Sequence, residues 1–150
     1  MGASVKYWRF RMALWLWARL IPVLSWRSDL VTLLRRVAPS GAAPYHGLPA
    51  HLIAYRAKRA VRRPRVMVDR PCLREGLLAD RFLRLAGYQP ELHFGISRES
   101  LVQDKLAAHC WVVLNGNILL NEPVTEMVEV LVRDRDAHVQ RPENAVAAAE

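Results

Sequence analysis

The sequence predicts an α+β protein: a basic helical region, then one helix packed on a small antiparallel sheet. Three observations predict it. Apolar residues recur at helical spacing through residues 5–20 and again through 72–86. Gln89 to Ile96 and Ala107 to Leu114 read as strands. Asn115-Gly116, between Leu114 and a returning run Asn117 to Asn121, is a strong two-residue hairpin signal.

The elements follow in order. Val5 to Leu20 reads as a helix with Tyr7, Trp8, Met12, Trp15, Leu16 and Leu20 on one stripe, and Pro22 is expected to interrupt it. Ser28 or Asp29 caps a short second helix through Arg36. Residues 39–49 are rich in Pro, Gly and Ala and form a loop. Leu48 to Arg63 is helical again and strongly basic, ending before Pro64. Cys72 to Ala86 carries Leu73, Leu77, Leu78, Phe82 and Leu85 on one stripe, with Gly87 suited to the left-handed position that follows a helix. Ser97 to Lys105 is a polar loop. The expected organisation is a basic helical region over 1–65 packed on the core, a core over 66–132, and a flexible tail over 133–150.

Composition narrows the function. At 150 residues, 52% apolar and 24% charged, the chain fits one globular domain with a real core. Two cysteines, Cys72 and Cys110, are too few for a disulfide scaffold, and no CxxC pair offers a zinc site. His46, His51, His93 and His138 lack metal-ligand spacing, so neither metal nor cofactor is called for. A reducing cytoplasm fits a free thiol. The apolar run Met12 to Ala18 is far shorter than a membrane span and has no cleavage site after it. Lys6 stands where a myristoylation motif wants Ser or Thr.

Charge is uneven. Residues 1–70 hold 14 Lys/Arg and two acids, whereas residues 71–150 hold 8 Lys/Arg and 12 acids. The basic half suits an acidic peptide, a partner protein or a membrane face, or is a solvated surface. It shows no nucleic-acid motif, so no nucleic acid is expected. The Trp stripe of Trp8, Trp15, Trp17 and Trp26 is expected to pack on the core; the alternative is a partner or lipid interface.

Cys72 lies in the first turn of its helix. The helix dipole and free backbone amides there favour a thiolate and can hold an oxyanion, and Arg70 and Arg74 add positive potential. A thiolate is the nucleophile of thiol catalysis. Read alone, such a cysteine is more often a small buried hydrophobe. His109, on a strand with Trp111 two residues on, can pair with the thiolate and protonate a leaving amine. A third group orients the imidazole, and register decides which. A two-residue loop at Asn115-Gly116 puts Glu122 on the face of His109; a three-residue loop with a bulge puts Asn121 there.

The stretches PCLREGLLADRFLRLAGYQPELHFGI and AHCWVVLNGNILLNEP resemble the transglutaminase-like B2 proteins of lasso peptide biosynthesis. The resemblance covers about residues 66–124 and rests on Cys72-Leu73, Gly87, Gly95-Ile96, Ala108-His109-Cys110-Trp111-Val112, Gly116 and Asn121-Glu122. It implies a transglutaminase-like, papain-like core and a cysteine leader peptidase acting on a ribosomally made precursor peptide. A separate leader-binding protein and a lasso cyclase are the implied partners. By motif, Cys72 takes the nucleophile position, His109 the base position and Asn121 the third, with Glu122 as the alternative. Asn121 stands where the family usually has Asp, Cys110 replaces a common Ala and Val113 a common Glu. Acyl transfer to an amine on the same scaffold, and a non-catalytic basic interaction module, are the competing functions.

Overall fold

The computed structural model describes residues 2–101 and 107–142; the side chains of Ala3 and Leu101 are not included. Four helices, α1 (Ala3–Ser25), α2 (Leu30–Val37), α3 (Ala50–Val61) and α4 (Pro71–Leu85), precede a five-stranded antiparallel sheet. Its strands are β1 (Glu91–Ser97), β2 (Ala108–Leu114), β3 (Asn117–Leu120), β4 (Met127–Arg133) and β5 (Val139–Gln140), in the order β3-β2-β1-β4-β5. The α+β class is as expected. None of the described helices is long and apolar enough to cross a membrane.

The α4 helix is central. Pro71 opens it at a position where a missing amide hydrogen costs nothing. Its apolar side buries Leu77, Leu78, Phe82 and Leu83 completely. Phe82 meets Phe10 of α1 edge-on at 5.5 Å and stacks on Tyr45 at 5.8 Å, which ties helix to helix. On the sheet side Gly76 is a close approach: a Cβ there would stand 2.7 Å from Cys110 Sγ and 3.0 Å from Leu92. The missing side chain lets α4 lie directly on β2.

Three expectations are corrected. Pro22 does not interrupt α1, which runs on to Ser25. Proline deprives the Ala18 carbonyl of its helical partner, and the buried Arg74 guanidinium supplies a substitute: Arg74 Nε donates to Ala18 O at 2.9 Å and Nη2 donates to the same atom. Of the expected stripe, Tyr7 and Trp17 pack against the core, but Trp8, Met12, Trp15, Leu16 and Trp26 are exposed, and Phe10, Leu14, Ala18 and Ile21 face the core. The helix is apolar on both sides, so periodicity alone chose the wrong one. Residues 133–140, expected to begin a flexible tail, end β4 and pair as β5. Arg133 is buried and bonds Asp80 Oδ2 at 2.6 Å, while Arg84 Nε bonds Asp80 Oδ1 at 3.0 Å. Burial pushes the Asp80 carboxyl up from its usual range, and the two guanidiniums oppose that rise. Residues 143–150 lie outside the described residues.

Candidate active site

Cys72 is half-buried in the first turn of α4. Arg70 in the cap position offers no side-chain cap, and no acid sits in the first turn. The amides of Cys72 and Leu73 come too early to bond within the helix, so they remain as donors at its positive end. Neither expected arginine is held for the thiol. Arg70 is exposed beside Asp69 at 3.0 Å. Arg74 points into the protein and bonds the carbonyls of Ala18, Val61, Pro64 and Val66. Its work is to clamp the start of α4 to α1 and to the end of α3.

The alternation of β1 and β2 places Leu92, Phe94, Cys110 and Val112 against the helices and His93, Gly95, His109 and Trp111 on the other face. His109 stacks on Trp111 at 6.2 Å, and His93 stacks on the same indole at 5.5 Å. Gly95, opposite His109, makes room for that indole: a Cβ there would meet its ring at 3.0 Å. His93 faces Glu129 at 2.9 Å and Glu91 at 3.4 Å and serves the sheet face.

The hairpin brings Asn121, and not Glu122, next to His109. Asn115 and Gly116 both take positive φ, 52° and 81°, and pair Leu114 with Asn117, as in a type I′ turn. That loop alone would bring Glu122 to the His109 face. A bulge then shifts the register between Val112 and Val113, so that Val112 pairs with Leu120. The shift restores Asn121 to the position next to the histidine. Asn121 itself is left-handed, with φ 59°. Its carbonyl, not its side chain, lies 2.8 Å from His109 Nε2, and its side-chain Nδ2 donates to the Cys72 carbonyl at 3.3 Å. A carbonyl can only accept, so Nε2 carries the hydrogen, and the tautomer this contact selects for a neutral ring has its lone pair on Nδ1. Glu122 is exposed and makes no hydrogen bond or ion pair among the described residues.

One residue was missed. Glu75 is three positions after Cys72 on α4 and half-buried. Burial pushes its carboxyl up, while Lys58, the Asn121 side chain, Arg62 and His109 pull it down. The i, i+3 spacing from Cys72 was the available signal. Cys110, by contrast, is sealed under Gly76, and burial raises its thiol well above the usual range, with Cys72, Asp80 and Glu75 adding to the rise. Of the two thiols, Cys72 is the less buried.

Among the described residues no hydrogen bond joins Cys72 to His109 directly; Asn121 links the helix start that carries the cysteine to the strand that carries the histidine, and a thiol and an imidazole so linked are the groups that thiol acyl chemistry uses. The chain matches the model of the transglutaminase-like superfamily over residues 12–133, and it belongs to that superfamily. The matched range takes in both the helical first part and the sheet. No curated protein and no solved structure matches the chain. The fold is compatible with cysteine-peptidase and with acyl-transferase activity.

Proposed function

We propose that this protein is a cysteine peptidase that removes the leader from a ribosomally made lasso precursor, with Cys72 as nucleophile and His109 as base. The observation that carries the reading is Asn121, which bonds the Cys72 carbonyl and His109 Nε2 at once. Helix start and strand are thereby held to one another, and the imidazole is locked in the tautomer that a base needs.

In this reading His109 Nδ1 takes the thiol proton as Cys72 Sγ attacks the scissile carbonyl. The Cys72 and Leu73 amides receive the developing oxyanion. His109 returns the proton to the leaving amine of the core peptide, and the leader stays on Cys72 as a thioester. Water activated by His109 then releases the leader as a free acid. Glu75 supplies the negative charge that Asn121 lacks. The substrate is expected to arrive on a separate leader-binding protein, and the released core to pass to a lasso cyclase.

The test is to incubate precursor, leader-binding protein and this chain, and to weigh the products. The expected products are a leader with a free carboxylate and an intact core peptide, with neither formed by Cys72→Ala. A leader recovered as an amide of an added amine would assign acyl transfer instead. Unchanged cleavage by Cys72→Ala would sink both readings.

A further inference from the structure

The outward face of α1 is unlike an ordinary solvated helix surface. Trp8, Met12, Trp15, Leu16, Val23 and Trp26 are all exposed, with Trp8 at 62%, Trp15 at 50% and Trp26 at 87%. At about 100° per residue, Trp8, Trp15 and Trp26 fall close to one line, and at about 1.5 Å per residue that line is roughly 27 Å long. The opposite face of the same helix is already buried in the core, so folding leaves this stripe uncovered.

Beside the stripe runs a cationic groove. It has a volume of about 560 Å³ and is lined by Trp15, Arg19, Ala60, Arg59, Arg62 and Arg63. It continues along α1 past Arg11 and Arg56. Arg19 lies over the Trp15 ring at 3.8 Å, so indole and guanidinium form one surface. Neither α1 nor α3 contains an acidic residue. The face is thus apolar along its centre and positive along its edge, with no negative charge of its own.

We infer that this face docks on an anionic lipid surface, with α1 lying in the plane of the headgroups. Indoles favour that depth, because an apolar ring and a polar N–H meet there. Arginines flanking an apolar helix face reach the lipid phosphates while their stems stay in the boundary layer. A protein partner could also cover an apolar helix. The long run of indoles and aliphatics, flanked only by cations, fits a fluid anionic sheet better than a specific polar surface. The inference uses neither Cys72 nor His109 and stands or falls independently of the peptidase reading.

The test is flotation of the full chain with vesicles of phosphatidylcholine alone and of phosphatidylcholine with phosphatidylglycerol, read together with tryptophan emission. The chain is expected to float with the anionic vesicles and to shift its emission to the blue, and to stay behind with the neutral ones. Trp8→Ala/Trp15→Ala and Arg59→Gln/Arg62→Gln/Arg63→Gln should each lower partitioning by about tenfold or more. All of these side chains are on the surface, and circular dichroism will confirm that both variants fold. Absence of flotation by the parent chain, equal flotation with both vesicle types, or undiminished binding by either variant overturns the inference. So does a parent chain that ignores vesicles but sediments as a dimer that the Trp8→Ala/Trp15→Ala variant dissolves, since the face would then belong to a second copy.

Discussion

Asn121 serves the candidate site through two different groups. Its carbonyl meets His109, and its amide meets Cys72. The left-handed backbone at φ 59° makes the division possible, and asparagine adopts that conformation more readily than most residues. Two substitutions separate the roles. Asn121→Gly keeps the backbone and its carbonyl, so cleavage is expected within about tenfold of the parent rate. Asn121→Val must strain a β-branched residue at positive φ, at about 1–3 kcal/mol, and should melt earlier and cleave more slowly. A glycine variant as inactive as Cys72→Ala would show that the amide, rather than the carbonyl, is what the site needs. Legibility at this scale was divided. Cys72 and His109 stood out by type and position, whereas the third position stayed open between Asn121, favoured by the family motif, and Glu122. That a bulge, and not loop length, would fix the parity was invisible, because nothing in Val112-Val113 or Ile118-Leu119-Leu120 marks an irregular pair.

At the scale of the element, α4 carries opposing demands. Its start must stay open for chemistry, yet it is anchored by Arg74 on four carbonyls. The sequence showed Arg74 only as a charge near a thiol; its partners are 8 to 56 residues away and come together only in the fold. Glu75 carries the other demand. Burial raises its carboxyl above the ordinary glutamate range, so folding favours the protonated form. Its contribution to stability is therefore fully present below the unfolded-state value and is lost as pH rises through the folded one. Glu75→Gln should accordingly melt higher than the parent at neutral pH, and the gain should disappear at acid pH. The same variant should cleave more slowly, since the imidazolium that forms on His109 loses a nearby negative charge. Thermal melts at two pH values and a cleavage rate check both. A variant that is no more stable, and whose cleavage rate is unmoved, would remove Glu75 from the site.

The whole molecule joins two parts that the sequence displays very differently. The meander β1-β2-β3 was legible from alternation and from Asn115-Gly116. The strand β4 was not, because its inward side places charged Arg133 beside Leu131, and its partner Asp80 is 53 residues away. The outward stripe of α1 was seen but assigned to the core, for want of any sequence signal telling two apolar faces apart. The helices hold the start of α4, the sheet holds His109, and the β3 end holds both to Asn121. This arrangement supports attack by Cys72, which can be observed as a covalent intermediate. Acid-quenched intact mass of the chain, mixed with precursor and leader-binding protein, is the most direct measurement. The expected result is an adduct of leader minus water, mapped to Cys72, released by hydroxylamine and absent from Cys72→Ala. Precursor cleavage with no adduct on Cys72, or with the adduct on another residue, would contradict it.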